Sequence, residues 1–326
     1  MMNRSLRIAA AAVCVIVNFG FGQKSFGYST TLFNAFLQWA DGQNVQVVTE
    51  GLLETPSYVR NDSSPAEIGW SDTLGRVRLV NTGPYSPTAS FEVFYMNINS
   101  HTALLPSQLN DQSLVVGTPI GTFGGWGLAV AFGAGYAGNS PYNDPSAIYG
   151  LGQITASDTL SVEDSLYVSV SYNGNREFLP DVPLPTVEYV HLGDSLQWAL
   201  GVAFESLRWQ ATKQLQISAE YDPLNEGFAD VDYATLQWLH VYTRFETDSR
   251  AFHLSNYNAN QRLFVSMNRV EGGFRIHALK DHLSVQLAGG YAFDQEFGQG
   301  YDSRDEHDFA QIANAPYADV QLQFNF

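Results

Sequence analysis

The sequence predicts an all-β fold, an antiparallel up-and-down transmembrane β-barrel of about 12 strands, with a range of about 10–14. Apolar residues alternate with Gly, Ala, Ser and Gln along many segments, which is the period of a β-strand. The chain is also poor in charge, at 15%, and rich in aromatic residues, at 13%. After its N-terminus, no apolar run approaches the length of about 18 residues that a membrane-spanning helix needs.

Five segments alternate most clearly and are the most secure predicted strands. They are 126–136, 196–205, 214–221, 282–293 and 318–326. Weaker alternation predicts strands at 44–53, 73–81, 89–98, 147–155, 165–173, 186–192, 234–245, 251–257 and 262–279, and residues 28–40 are a further candidate. Near Asn268 the apolar phase changes, which indicates a β-bulge or two shorter strands.

The two faces of these strands distinguish a membrane barrel from a soluble one. In 126–136, Trp, Leu, Val, Phe and Tyr share one face, whereas Gly and Ala form the other. A soluble barrel would place charged residues on its outer face, and a lipocalin-like barrel with its aromatics inside is the alternative fold. Small residues suit the crowded interior of a membrane barrel, so we expect 127–135 and 288–292 to face a filled or narrow lumen.

The N-terminus reads as a secretory signal peptide over residues 1–22. Arg4 and Arg7 precede a ten-residue apolar run, and Gly20-Phe21-Gly22 forms a small-x-small cleavage site. The predicted domains are therefore a signal peptide, 1–22, and a barrel, 23–326. Removing the signal leaves 14 basic and 33 acidic residues, a net charge of −19 in place of −17, and removes the single cysteine, Cys14.

Composition excludes several classes of protein. Ample apolar content excludes disorder, and the absence of cysteine in the mature chain excludes disulfide scaffolds and thiolate zinc sites. An acidic surface would repel a phosphate backbone, so we expect no nucleic-acid partner.

Connection lengths suggest an orientation. The Lys280-Asp281 turn and segments 209–213 and 246–250 are short, whereas 222–233 and 295–316 are long. Short turns on one side and long loops on the other are typical of outer-membrane barrels, with the short turns in the periplasm. Three prolines at 180, 183 and 185 predict a loop that folds over or into the barrel.

The C-terminal strand resembles that of bacterial outer-membrane β-barrels. The alternating residues that carry this resemblance are Val320, Leu322, Phe324 and Phe326. It implies a bacterial outer-membrane location and recognition by the barrel-assembly machinery, with outer-membrane lipid and lipopolysaccharide as surroundings. Segments such as 185–189, 269–273 and 289–293 also make residues 120–326 similar to an uncharacterised family of outer-membrane barrels, which implies a barrel and no activity.

The polar faces of the predicted strands supply candidates for the lumen lining. These candidates are Glu205, Glu220, Glu271, Arg275, His277, His282 and Gln286. Unpaired charges in a dry interior are costly, so we expect these groups either to pair across the lumen or to line water. His277 and His282 flank one turn, and we expect two hydrated or hydrogen-bonded side chains rather than a metal pair.

The last long loop carries an acidic cluster. Its acids are Asp302, Asp305, Glu306 and Asp308, and Ser303 and His307 lie among them. The cluster is a candidate for divalent cations, because oxygen ligands fit hard ions, and a weaker candidate for hydrolysis of lipid or peptide. We otherwise expect no cofactor and no metal.

Three functions remain open from the sequence. The first is a pore or passive transporter for small solutes, favoured by the predicted barrel. The second is a structural or adhesive barrel with a closed lumen and partner-binding acidic loops. The third is an outer-membrane hydrolase, although the sequence more strongly favours a protein that is not an enzyme.

Overall fold

The computed structural model describes residues 45–60, 67–79, 88–100, 105–202, 205–222, 226–255, 257–258, 260–279 and 282–325. The predicted signal peptide, the candidate strand 28–40, the Lys280-Asp281 turn and Phe326 lie outside these residues. Among the described residues no helix is long and apolar enough to cross a membrane.

The described chain is built almost entirely of strands. Their bounds are β1 Val45–Glu54, β2 Ser57–Tyr58, β3 Glu67–Leu79, β4 Thr88–Ser100, β5 Gln108–Phe123, β6 Trp126–Gly138, β7 Ile148–Thr159, β8 Asp164–Asn173, β9 Leu184–Leu192, β10 Leu196–Gly201, β11 Glu205–Gln210, β12 Leu215–Asp222, β13 Glu226–Leu236, β14 Leu239–Phe252, β15 Arg262–Ala278, β16 Leu283–Gly300, β17 His307–Ile312 and β18 Ala315–Asn325. One 3-10 turn, Pro145–Ala147, precedes β7.

Sixteen of these strands form the wall of a closed antiparallel barrel. Each pairs with its neighbour in sequence, and β1 closes the barrel by pairing with β18, for example Gly51 with Val320. Strands β2 and β17 continue β1 and β18 beyond short breaks, and a bridge between Val59 and Ile312 joins these continuations. The all-β antiparallel barrel is therefore confirmed, but the predicted number of about 12 strands is wrong.

Three wall strands were missed because their sequences are polar or interrupted. Strand β5 contains Asn110, Asp111 and Gln112 and continues past a register shift near Pro119. Strand β13 carries Asp230 and Asp232 on its inner face, so it reads as part of the long loop 222–233. Strand β11 was missed because 196–205 reads as one strand, whereas the structure ends β10 at Gly201 and begins β11 at Glu205.

Two other predicted connections are also strands. Residues 246–250 lie inside β14 rather than in a short turn, and no separate strand covers 251–257. Most of 295–316 belongs to the ends of β16, β17 and β18, which leaves only 301–306 as the connection. Charged residues that face the interior of a barrel resemble the residues of a solvated loop when each segment of sequence is considered alone.

The irregularity predicted near Asn268 exists, but the bulge lies on the neighbouring strand, β16, and not on β15. The register between β15 and β16 shifts between Ser266 and Asn268, whereas β15 pairs with β14 without interruption. One extra residue lies on β16, where Asp294 adopts a positive φ of 49°. The alternation of β15 therefore continues unbroken through Asn268.

The outer surface of the wall is apolar. The exposed large apolar side chains on it include Leu53, Phe132, Ile154, Val187, Leu200, Val231, Phe274, Leu287 and Val320. The opposite face of the same strands is buried and mostly polar through the turn-end half of the barrel, as Glu220, Arg244 and Gln286 show. This polarity is inverted relative to a soluble protein, and a closed barrel also leaves no unpaired strand edge, so the architecture is that of a membrane-spanning barrel.

Candidate functional site

The candidate site is the interior of the barrel, whose two ends differ. We call the end that holds Val45, Asn325 and the short turns at 124–125, 160–163, 193–195, 211–214 and 237–238 the turn end. The opposite end, with the connections 139–147, 174–183, 253–261 and 301–306, is the loop end. The long connections thus gather on one side, as expected for an outer-membrane barrel.

An apolar cluster fills the interior near the loop end. Its buried members include Leu52, Phe94, Met96, Ile98, Leu109, Ala137, Phe252, Leu263, Val265, Met267, Phe297, Ile312 and Tyr317. They come from strands that are not neighbours in the wall, β4 to β6 and β14 to β16 among them, so the cluster packs across the lumen at this level. Leu109, Phe252, Leu263 and Phe297 have no measurable exposure.

A layer of ion pairs lies beneath the apolar cluster, toward the turn end. Glu246 accepts a hydrogen bond from Nη2 of Arg269 at 2.9 Å and pairs with Nε of Arg244 at 3.2 Å. Nη2 of Arg275 donates to Asp230 at 2.5 Å, and its Nη1 donates to Asp232 at 2.8 Å. All of these side chains are buried, so the charges compensate each other inside the barrel.

One pair in this layer connects strands that are not neighbours in the wall. Nη1 of Arg250, on β14, lies 3.8 Å from Oε1 of Glu92, on β4. The same guanidinium lies 4.2 Å from the ring centroid of Phe94 and so joins the ionic layer to the apolar cluster. The lumen is therefore crossed by direct contacts.

The loop at 174–183 folds across the mouth at the loop end. Arg262, at 1% exposure, donates to the carbonyls of Asn175 at 3.2 Å and Arg176 at 3.0 Å. Nδ2 of Asn175 donates to the carbonyl of Ala251 at 2.9 Å, and the hydroxyl of Tyr301 donates to Asp181. The loop leaves β8 and enters β9, so these bonds attach it to the far wall, as predicted from Pro180 and Pro183, whereas Pro185 lies within β9.

A second segment seals the same mouth. The amide of His253 donates to the carbonyl of Ala137 at 2.9 Å, and the amide of Ser255 donates to Oδ1 of Asn139 at 3.2 Å. These bonds attach the end of β14 to the end of β6, which lies elsewhere in the wall.

Glu177 is a buried acid in the loop at 174–183. The pKa of its carboxyl is raised to about 8, chiefly by burial and also by the carboxylates of Glu306 and Asp248, against the opposing effects of Ser249 and Arg262. Its backbone carbonyl accepts from the amide of Ser303 at 2.9 Å. The docked loop therefore holds Glu177 mainly in its neutral form at pH 7.

The small-residue faces make room for aromatic rings. A Cβ added at Gly290 would lie 2.5 Å from Cζ of Tyr317 and 2.6 Å from the carbonyl oxygen of Val270. Tyr317 therefore occupies the volume that a side chain at 290 would need, and its hydroxyl donates to Glu271 at 3.0 Å. The small residues serve a filled interior rather than an open pore.

The predicted lumen residues fall into different environments. Glu220, Arg275, His277 and Gln286 are buried on the inner face, and Gln286 accepts from Nε of Arg275 at 3.0 Å. Glu271 also lies inside and accepts from Tyr242 at 2.8 Å.

The two predicted histidines do not face each other. The ring of His277 lies edge-on to that of His240, with centroids 4.6 Å apart. Nδ1 of His282 lies 2.8 Å from the carbonyl oxygen of Asn325, at the rim of the turn end.

The prediction that Glu205 faces the lumen is wrong. It shares a face with Leu207 and Trp209, which lie on the outer side, and it is only partly buried. The break between β10 and β11 shifts the alternation, so the phase that the sequence suggests for 196–205 ends at Gly201.

The acidic loop uses its acids for its own turns. Asp302 is buried and accepts from Nη2 of Arg304 at 2.6 Å, and these hydrogen bonds lower the pKa of its carboxyl. Oδ1 of Asp305 accepts from the amides of Tyr301 and Asp302. Asp308 lies in β17, and the carboxyl of Glu306 lies against Gly298. In the described ranges no three His, Cys, Asp or Glu side chains converge as a metal site would.

The residues of the predicted assembly signal line the outer face of β18. Val320, Leu322 and Phe324 alternate with buried Asp319, Gln321 and Gln323. Phe324 is opposite Val47 of β1 and Leu283 of β16, so the terminal strand is the closing strand of the barrel.

A polar cavity opens at the turn end. It has a volume of about 830 Å³ and is lined by β10 to β14 and the turns between them. Gln197, Arg208, Gln216, Asp232 and His240 are among its lining residues. This site was not predicted from the sequence, in which its visible signal is the glutamines at even-numbered positions of 210–216.

The chain was compared with known proteins. No family model and no curated protein matches it. Similar solved structures include the toluene transporter TodX of Pseudomonas putida, 10% identical with a TM-score of 0.43 over 96% of this chain and 100% of that one.

Two further structures are similar at the same level. A Pseudomonas aeruginosa FadL homologue is 10% identical with a TM-score of 0.40 over 90% of this chain and 93% of that one. An outer membrane channel from Pseudomonas putida F1 is 9% identical with a TM-score of 0.38 over 87% and 96%. At these scores the likeness adds nothing to the strand pairing, which by itself gives the chain the fold of bacterial outer-membrane β-barrels.

Proposed function

We propose that the protein resides in the bacterial outer membrane and is a passive transporter for small solutes, held closed at its loop end. The observation that carries this proposal is the combination of a 16-stranded wall with a polar cavity that opens at the turn end. Barrels of 16 to 18 strands have enough circumference to enclose an aqueous channel. A purely structural barrel would need no such cavity.

Closure of the loop end is compatible with transport because the loop that covers this mouth is held by a small number of bonds. The loop at 174–183 reaches the far wall mainly through Arg262 and Asn175. Local segments with few contacts open at a smaller free-energy cost than the whole barrel. We therefore expect passage to require displacement of this loop and rearrangement of the apolar cluster beneath it.

Planar-bilayer recording of the purified full chain tests this function. We expect rare openings for the natural protein and frequent openings for Arg262→Ala, which removes the two hydrogen bonds to the loop. Arg60→Ala serves as the matched control, because Arg60 bonds to Asn314 instead. Absence of conductance at any voltage in both Arg262→Ala and the natural protein would overturn the transporter proposal.

A closed structural or adhesive barrel is the second candidate, favoured by the contacts that cross the lumen. Under that alternative, partners would meet the loop end, and divalent ions would bridge the acidic loop to lipopolysaccharide. Hydrolysis is a weaker proposal, because Asp302 and Asp305 are engaged in turn bonds. Absence of lipid hydrolysis by the natural protein would end it.

The contacts of the barrel with outer-membrane lipid and with the barrel-assembly machinery are also proposals. The apolar outer face would contact outer-membrane lipid, and Val320, Leu322 and Phe324 would meet the barrel-assembly machinery during insertion. Membership of the uncharacterised family suggested by 120–326 rests on those sequence motifs alone.

A further inference from the structure

The turn-end cavity has an unusual lining for an acidic protein. Its side chains are dominated by amides and hydroxyls, with glutamines contributed by β10, β11, β12 and the turn after β13. Two acids, Asp194 and Asp232, are balanced by two bases, Arg208 and Lys213. The cavity therefore has no net formal charge with His240 neutral, although the chain carries −17.

The two buried charged side chains of the cavity wall, Asp232 and Arg208, are hydrogen-bonded within the protein. Asp232 accepts from Nη1 of Arg275 at 2.8 Å, and its other oxygen lies 2.6 Å from Nδ1 of His240. Nε and Nη2 of Arg208 donate to Oε1 of Gln216 at 3.2 and 3.1 Å. An ionic solute entering the cavity would lose hydration and would have to replace these bonds in order to pair with the buried charges.

One buried amide of the cavity lining has an oxygen without a hydrogen-bond partner in the described part of the chain. Oε1 of Gln197 is buried and accepts no hydrogen bond within the described part of the chain, and Gln197 itself is only 5% exposed. A buried acceptor without a donor is costly. Gln197 lines the cavity, so a molecule there can satisfy it.

We propose that the turn-end cavity is a binding site for a neutral, polyhydroxylated solute such as a small sugar. A hydroxyl group both donates and accepts, which matches side-chain amides that present an oxygen beside an NH₂ group. The volume of about 830 Å³ lies in the range of small-molecule sites. The inference rests on the proposed transport function for its role, but binding itself can be measured independently.

The test is equilibrium dialysis of the purified barrel with radiolabelled solutes. Glucose, gluconate and glucosamine have similar size and differ in charge, and sucrose tests a larger neutral solute. We expect saturable binding of glucose and sucrose, and at least about tenfold weaker binding of the two ions. Equal binding of all three, or binding of the ions alone, would overturn the inference.

Two variants assign the binding to this cavity. Gln197→Leu should raise the Kd for sucrose about three- to tenfold, because it removes one hydrogen bond to the solute. Ala234→Trp should abolish binding, because the larger side chain would fill the cavity. Gln323→Leu is the matched control, because Gln323 is also a buried lumenal amide with an unpartnered Oε1 but does not line the cavity. Heat-modifiable migration on gels verifies that each variant folds. An equal effect of the control substitution would remove the cavity from the explanation.

Liposome swelling separates this inference from the proposed function. Saturable sucrose binding without any flux, even in Arg262→Ala, leaves the site standing and removes the transporter. Flux of all solutes at rates set only by size, without saturable binding, keeps the transporter and removes the site.

Discussion

The two halves of the lumen are built from the same strands but from opposite kinds of residue. On β4 the inner face changes from Glu92 to Phe94 and Met96 toward the loop end. On β15 it changes from Arg275 to Val265 in the same direction. The turn-end half is thus held by compensated charges and the loop-end half by apolar packing. A single strand therefore keeps one alternation along its length, while its inner face is charged in one half of the barrel and apolar in the other.

This difference explains why the alternation near Asn268 misleads. The side chains of β15 keep their phase, but the lumen itself changes from polar to apolar at that level. Leu263 and Val265 therefore face inward in the loop-end half, whereas Val270 and Phe274 face outward in the turn-end half. An apolar residue marks the lipid-facing side only where the lumen is polar.

The largest expected effect is loss of the ionic layer of the turn-end half. Arg275→Ala would leave Asp230 and Asp232 buried without their guanidinium, and the ring of Tyr242 would lose a cation at 3.9 Å. Removing one partner of a buried pair costs about 3–5 kcal/mol. Urea unfolding from lipid vesicles, followed by tryptophan fluorescence, measures this cost.

A compensating variant sharpens that result. Arg275→Ala combined with Asp230→Asn and Asp232→Asn should recover part of the lost free energy of unfolding, because the uncompensated charges are removed. No recovery would mean that the layer acts through packing rather than through charge.

Apolar packing in the loop-end half should have a comparable or slightly smaller effect. Leu263→Ala removes a fully buried side chain, which costs about 2–5 kcal/mol. Leu287→Ala, on the exposed outer face, is the matched control and should cost less in vesicles. Equal costs at the two positions would contradict a packed lumen.

Much of the fold could be predicted from sequence, and the missing parts share one cause. Strands such as β6 and β18 are evident because most of their large apolar residues share one face, which is the outer face of the wall. Strands such as β13 were hidden because Asp230 and Asp232 point inward, and acids in sequence suggest a solvated loop. The polar cavity could not be derived, because it requires knowing which strands are neighbours and where β10 ends.

A substitution under an aromatic ring tests the filled lumen at a level between the two halves. Gly290→Val would collide with Tyr317 and with the carbonyl of Val270, and overpacking of this kind costs about 1–3 kcal/mol. The side chain introduced by Gly289→Val would point to the outer side, where its Cβ would lie 4.0 Å from the nearest atom, the carbonyl oxygen of Tyr317. This variant should therefore be tolerated. Thermal loss of heat-modifiable migration compares the two variants.

The pH dependence of the closed mouth should be milder and confined to the loop-end half. Because the pKa of Glu177 is raised to about 8 from an ordinary 4.5, the docked loop binds this proton more tightly than the released loop does. Docking is therefore strongest below about pH 4.5, weakens as pH rises toward 8, and changes little above it. Hydrogen exchange of 174–183 measures docking. Glu177→Gln should remove the pH dependence, and an unchanged profile would contradict the assignment of this dependence to Glu177.

The smallest effect is expected at the pair of Arg304 and Asp302 beside the same mouth, in which only the arginine is exposed. Arg304 bonds to Asp302 at 2.6 Å, but its guanidinium is 57% exposed, so water can replace it and the ion pair should contribute little to stability. The buried Asp302 also keeps the hydrogen bond from the backbone amide of residue 304, at 2.9 Å. Arg304→Ala should leave the midpoint of urea unfolding unchanged within error and should raise the pKa of Asp302 toward its ordinary value, since the guanidinium is what lowers it. Carboxyl-directed NMR titration follows that pKa. A loss of stability similar to that of Arg275→Ala would show that the loop-end half, too, depends on charge, and would remove the contrast between the two halves.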